Sequence, residues 1–149
     1  TIAAIGPFEE FFAKESSQKT MVLLGAGSGM APLKALIDEQ LAIADKPRDI
    51  HFFYGTRAEH DLLYFDQLTQ LAKQNENFHY YPILSQGHDD WQGLRGYGQH
   101  ALSSHLSDLG EINDVEFYLC GPQGLMNEAI ELLHTYGVHD SAIAFDTFS

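Results

Sequence analysis

Cysteine is nearly missing from this chain: Cys120 is the single one among 149 residues. An internal disulfide is thereby excluded, and so is an iron–sulfur cluster held by four thiolates within these residues. Cations are scarce too. Eight Lys and Arg stand against 21 Asp and Glu, a formal net charge of −13, whereas gripping a phosphate backbone needs clustered basic side chains. No nucleic-acid partner is expected, and an anionic membrane surface is disfavoured by the same sign of charge. Apolar runs such as residues 21–24 fall far short of the ~20 residues that cross a bilayer. The opening TIAAIGPFEEFF lacks a basic start and carries Glu9 and Glu10, so no secretory leader is expected. Eight histidines are present, but there is no H-E-x-x-H and no Cys/His pair at ligand spacing. No metal centre is expected, and neither a G-x-S-x-G elbow nor a P-loop lysine occurs.

The rest is ordinary in amount and informative in order. At 44% hydrophobic and 19% charged residues, the chain suits one soluble globular domain that buries roughly two-thirds of its unfolded surface. Apolar patterning predicts strands over residues 20–24, 49–54, 78–84, 115–120 and 141–145. Pro82 directs the third strand to an edge position or a strand end. Helical spacing predicts helices over 32–44, 60–74, about 99–106 and 122–136, the last ended by Gly137. Alternating strands and helices imply an α/β fold: a parallel sheet with helices on both faces, wound right-handed. Ligands in such folds bind beyond the carboxyl ends of the strands. Four unusual motifs, GAGSGMAP, GTR, LSQ and CGPQG, fall at or after those ends and point to one shared site. Residues 1–12 stand outside the alternation and read as a connector.

Each motif has a chemical reading beside a plain one. Gly25-Ala26-Gly27-Ser28-Gly29 links a strand to a helix, where glycines let backbone N–H groups approach a phosphate near the helix N-terminus. Pro32 suits the first helical turn. The common dinucleotide fingerprint is G-x-G-x-x-G with an acid closing the second strand. Here the third glycine arrives one residue early and Gly55-Thr56-Arg57 replaces the acid, so the turn is either a different phosphate cradle or a tight turn alone. Arg57 could neutralise a phosphate or pair with Glu59 or Asp61. Cys120-Gly121-Pro122 places a thiol at a strand end beside a glycine that permits close approach by a planar ligand; a buried strand cysteine before a helix-starting proline is the other reading.

Taken together, GAGSGMAP (25–32), YGTR (54–57), LLY (62–64), LCGP (119–122) and the terminal Phe148 resemble the nicotinamide-binding domain of the ferredoxin–NADP reductase superfamily. The likeness spans essentially the whole chain. Within that superfamily, GPFEEFFAK, FYGTRAEHDLLY, NENFHYYPILS, EFYLCGP and DTFS are most similar to the F subunits of sodium-translocating NADH:quinone reductases. The resemblance implies a single doubly wound α/β domain over residues 20–149, with a five-stranded parallel sheet in the order 3-2-1-4-5. Residues 1–19 would connect it to a flavin-binding barrel. Gly25, Gly27, Ser28, Gly29, Met30, Ala31 and Pro32 would form the pyrophosphate turn of bound NADH, with Gly55, Thr56 and Arg57 assisting. Ser85 and Gln86 would meet the adenosine half; Gln86 stands where NADP-dependent members carry arginine, which favours NADH. Cys120 and Gly121 would border the nicotinamide, and Pro122, Gln123 and Met126 would also belong to the cofactor site. Phe148 would stack on the flavin ring and give way when nicotinamide enters. Cys120 and Phe148 are the catalytic candidates.

Three departures stand out: Glu9 where the superfamily often has glycine, Thr147-Phe148 with Ser149 in place of the usual ending, and Ser85-Gln86 where NADP-using members carry Ser-Arg. The chain also lacks the flavin barrel's R-x-Y-S and the C-x4-C-x2-C of a plant-type [2Fe–2S] centre. FAD and [2Fe–2S] would therefore belong to other domains of the same polypeptide, and the isolated domain should turn over nothing. The resemblance further implies partner subunits of a membrane respiratory complex and a place on the cytoplasmic side of the inner membrane. Two other readings remain: the reductase component of a multicomponent oxygenase, and a regulatory α/β domain that binds no nucleotide.

Overall fold

A computed structural model of the chain describes residues 19–27, 31–42 and 48–148, and of Phe148 the backbone alone. The expected connector therefore lies outside the described residues but for Lys19, and Ser28, Gly29 and Met30 lie outside them too. Strand β1 (Thr20–Ala26) buries every residue after Thr20, as a strand covered on both faces must. β2 (Ile50–Thr56) and β5 (Val115–Pro122) flank it in parallel, placing Met21 opposite both Ile50 and Glu116. β3 (Phe78–Leu84) pairs outside β2, and β6 (Ile143–Phe148) outside β5. Helices α1 (Ala31–Leu41) and α2 (Phe65–Gln74) cover one face, where Leu33, Ile37 and Leu68 pack on Leu23, Phe52 and Tyr54. Helices α3 (Gly98–His105) and α4 (Gln123–Thr135) cover the other, where Leu102, Met126 and Ile130 meet Val22, Phe53 and Phe117. The sheet is doubly wound, as the alternation predicts.

It has six strands rather than five. β4 (Leu94–Arg95) joins outside β3, giving the order β4-β3-β2-β1-β5-β6, in which the five expected strands keep their expected sequence. The extra strand is two residues long and carries no periodicity to read. It forms because the Leu84 carbonyl faces outward from β3 and accepts the Gly96 amide at 2.9 Å. Pro82 shares that outward parity, two residues before Leu84, so its missing N–H removes no ladder bond. Two further bounds differ. The expected 141–145 strand begins with a 3₁₀ turn, Asp140–Ala142, and extends instead to Phe148. The expected 60–74 helix is split into a 3₁₀ turn, Glu59–Asp61, and α2, with Tyr64 between them in the left-handed region at φ 59°.

The amino-terminal edge of the sheet is locked by a buried ion pair. Arg48 Nη2 lies 2.6 Å from Glu116 Oε1, with the two side chains 3% and 5% exposed. Arg48 Nε donates to the Lys19 carbonyl, and Asn77 Nδ2 donates to the Arg48 carbonyl. One arginine thus ties the starts of β1, β2, β3 and β5, and removing either charge would strand the other in the core.

On the α3 face, His51 stacks on His79 with ring centroids 4.4 Å apart and shares a hydrogen bond with the Tyr81 hydroxyl at 2.9 Å. Burial, with the neighbouring His79 second, holds His51 down to about 4 from its ordinary 6.5. The unfolded chain takes up this proton first, so the stability tied to His51 is complete above about pH 6.5 and is lost as pH falls toward 4. The urea midpoint is expected to drop between pH 7.5 and pH 5, and to drop less in His51→Phe, which keeps a stacking ring and removes the titration.

Candidate functional site

A cleft of about 540 Å³ opens at the carboxyl ends of the strands, where the winding reverses at β1. Its floor is the end of β1, with Leu24, Ala26 and Gly27; the end of β2 supplies Gly55, Thr56 and Arg57. The backbone keeps the parallel ladder going past the strands. Ser85 N–H donates to the Thr56 carbonyl at 3.0 Å and Gln86 N–H to the Arg57 carbonyl at 2.8 Å. The GTR and LSQ motifs, far apart in the chain, are therefore one continuous piece of rim.

The far wall is the start of α3. A Cβ on Gly55 would stand 3.1 Å from the Gly98 nitrogen, and one on Gly98 would stand 2.9 Å from Leu24 Cδ1. Both distances are tighter than side chains ordinarily keep, so two glycines let the helix start settle directly on the end of β2. Gln99 follows, with only 6% of its surface exposed. Its Nε2 donates to Glu128 Oε1 at 3.1 Å, an oxygen His100 Nε2 also approaches at 3.0 Å. A carboxylate only accepts, which fixes the amide orientation. The Gln99 Oε1 is left buried without a hydrogen-bond partner. An unpaired buried acceptor costs roughly 1–3 kcal/mol.

Arg57 is exposed at the rim. The sequence left open whether it pairs with Glu59 or Asp61; among the described residues its guanidinium does neither. Asp61 and His60 lie in the same cleft, with Asp61 Oδ1 3.5 Å from His60 Nε2. The cleft therefore combines the Arg57 cation, the Gly27 end of β1, and apolar walls from Leu24, Leu63 and Leu125. A cation beside apolar walls suits a ligand with an anionic centre and flat rings.

The β5 end is built differently. Cys120 is 3% exposed and packs with the α1-side core, opposite Gly25 in the ladder. Burial, with Asp146 second, pushes its thiol up to about 11, so it stays a neutral thiol at physiological pH. A Cβ on Gly121 would meet Met126 Cε at 3.0 Å and the Ala26 side chain at 3.2 Å. Pro122 is exposed, lines the cleft, and stands opposite Phe148 in the β5–β6 ladder.

Of the residues expected to hold cofactor, Gly27, Gly55, Thr56, Arg57, Ser85 and Pro122 line this cleft. Gly25 packs against Leu33 and Phe52, Met126 is fully buried beneath Gly121, and Gln123 donates to Asn127 Oδ1 on the α4 surface. Gln86 is exposed beside the rim, and Ala31 and Pro32 start α1 exposed. The sequence reading missed the α3 start, Gly96-Tyr97-Gly98-Gln99, and the Asp61–Leu63 wall. Two glycines around an aromatic residue before a short helix were the available signal.

Residues 23–131 match the family model described as the oxidoreductase NAD-binding domain. The chain is 39% identical over 146 residues to the F subunit of the Na(+)-translocating NADH-quinone reductase of Pseudoalteromonas atlantica, and 38% identical to that of Shewanella denitrificans. Each match covers 96% of this chain and 36% of the relative's length, so the chain spans about a third of the relatives it matches. Among solved structures, the CS-b5R domains of human Ncb5or in the NAD+ form superpose with a TM-score of 0.81 at 24% identity, covering 91% of this chain and 38% of that one. That likeness bears on the fold.

The glycine contacts generate a paired expectation. Gly98→Ala should cost about 1–3 kcal/mol, because its Cβ must displace Leu24 or part α3 from β2. Gly124→Ala, where a Cβ meets nothing within 4 Å, should be neutral or stabilise α4 by up to about 1 kcal/mol. Urea unfolding of both variants checks the contrast.

Proposed function

Because this chain belongs to the oxidoreductase NAD-binding domain family, we propose that it binds NADH and positions the nicotinamide for hydride transfer within a longer reductase. The observation that carries the reading is the cleft itself, where Gly27, an Arg57 that among the described residues pairs with neither Glu59 nor Asp61, and the apolar walls of Leu24, Leu63 and Leu125 meet at the strand ends. Identity to the quinone-reductase relatives over a third of their length supports placing FAD and a [2Fe–2S] centre in other domains of the same polypeptide. It likewise supports partner subunits of a membrane respiratory complex, with this domain on the cytoplasmic side of the inner membrane. Among the described residues no helix is long and apolar enough to cross a membrane.

In this reading the bound nicotinamide supplies the hydride and a flavin outside the chain accepts it. The glycine turn, including Ser28 and Gly29, and Arg57 hold the pyrophosphate. Leu24, Leu63 and Leu125 exclude water from the rings. Asp61 in the cleft and the uncharged Gln86 beside it disfavour a 2′-phosphate, which would need a second cation. Cys120, Gly121 and Phe148, at the paired ends of β5 and β6, border the nicotinamide and the flavin. Cys120 acts there as a compact neutral group, since its raised pKa keeps a thiolate from forming.

Calorimetric titration of the chain tests the binding step. NADH should bind, and NADPH should bind at least about tenfold more weakly, a difference of about 1.4 kcal/mol. Absence of binding by either at millimolar concentration, even with a flavin domain supplied in trans, overturns the reading.

A second expectation concerns the complete polypeptide. Cys120→Ala should slow flavin reduction in stopped flow more than it weakens NADH binding, and the parent's rate should show no thiol titration between about pH 6 and 9. An unchanged reduction rate removes Cys120 from the site.

A further inference from the structure

The Tyr54 hydroxyl touches both sides of the cleft at once. Its ring is fully buried in β2 and stacks on Phe52, with centroids 5.6 Å apart and planes 11° from parallel. The ring has no freedom to turn, so its hydroxyl emerges at one point beneath the cleft. There the O–H donates to the Gly27 carbonyl at 2.9 Å, and the oxygen accepts the Leu63 N–H at 3.4 Å. The Asp61 carbonyl is a longer contact at 3.5 Å; one hydroxyl has one proton, and the shorter bond takes it. Burial raises the Tyr54 pKa above its ordinary 10, so the donor keeps its proton across the neutral range.

We infer that Tyr54 is a positioning residue for the dinucleotide: its hydroxyl sets Gly27 and the Asp61–Leu63 wall as one unit. Gly27 lies at φ 70°, and its carbonyl is one end of the peptide plane that opens the turn. The Tyr54 bond fixes the direction of that carbonyl where Gly27 lines the cleft. The other half of the bond holds Leu63, an apolar wall of the same cleft.

A second tie runs in parallel. Lys34, in the first turn of α1, places its Nζ 5.5 Å from the centre of the Tyr64 ring, and Tyr64 keeps its left-handed backbone without being glycine. Residues 61–64 are thus tied to Gly27 at the end of β1 and to Lys34 in α1. Such strain persists only where surrounding contacts over-determine it. The inference rests on the reading of the cleft as a dinucleotide site.

Tyr54→Phe removes the hydroxyl and leaves the buried ring. Its NADH dissociation constant is expected to rise about fivefold relative to the parent chain, as suits the loss of one buried hydrogen bond. Amide exchange at Leu63 should quicken about tenfold, while that of Leu23 and Phe117 in the central strands stays within about twofold. A merely structural role would speed all of these together and leave the dissociation constant unmoved. Equal NADH affinity in parent and variant overturns the role of Tyr54 alone, whereas a parent that binds no NADH overturns the proposed function. A measurement on the parent stands apart from how well the variant folds. On adding NADH, exchange at Gly27 and Leu63 should slow together; protection of Gly27 without Leu63 overturns the coupling.

Discussion

The functional end of this molecule depends on one backbone-to-backbone approach, that of Gly55 at the end of β2 to Gly98 at the start of α3. With a Cβ at either position the helix would have to stand off, because the neighbours are an amide nitrogen at 3.1 Å and a leucine methyl at 2.9 Å. Seating α3 there does three things. It closes the cleft on the side away from the glycine turn, brings the Gln99 amide against Glu128 on α4, and sets the loop after β3 where Gly96 can pair with Leu84. The fourth strand of the sheet, and the wall that carries the unmet acceptor, both follow from two missing side chains.

The electrostatics of the cleft make sense against the charge of the whole. A chain of formal charge −13 repels an anionic cofactor at long range, so local groups must supply the attraction. Arg57 can do so because neither nearby carboxylate claims it, while the ladder bond from Gln86 fixes its backbone. Arg48, by contrast, is buried and committed entirely to structure at the opposite end of the sheet. The two guanidiniums divide the labour: one, desolvated and paired, holds strand starts in register, and the other, exposed, stands ready at the strand ends. Cys120 fits the same pattern, since burial leaves it no charge to offer.

Stiffness is also unevenly distributed. At the amino end, Arg48 binds Glu116, Lys19 and, through its carbonyl, Asn77, so four strands are joined by charge-assisted or buried bonds. At the carboxyl end the comparable links are single hydrogen bonds, such as Tyr54 to Gly27 and Leu63. Such an arrangement lets the rim adjust to a ligand while the sheet beneath keeps its register. It also explains why the wall residues leave no repeating pattern in the sequence: a 3₁₀ turn and a left-handed tyrosine have no periodicity.

Much of this is legible in the residues alone. Alternating apolar runs identify the five long strands and their helices, since burial on both faces leaves near-continuous hydrophobic segments. Pro82 announces an outward-facing edge. From the motifs at the strand ends, Gly27, Gly55-Thr56-Arg57, Ser85 and Pro122 line the cleft, whereas Cys120 and Gly121 are buried. What the sequence determined by itself was therefore the α/β class and the long parallel strands with their helices, which follow from local pattern, while the strand order came with the family resemblance. The tertiary structure alone decided the rest. A two-residue β4 has no pattern to read, and Gly98 is special only because β2 lies against it. The unmet acceptor of Gln99 arises only from Glu128, 29 residues away. Such features are set by which surfaces meet, and no local spacing in the chain encodes that.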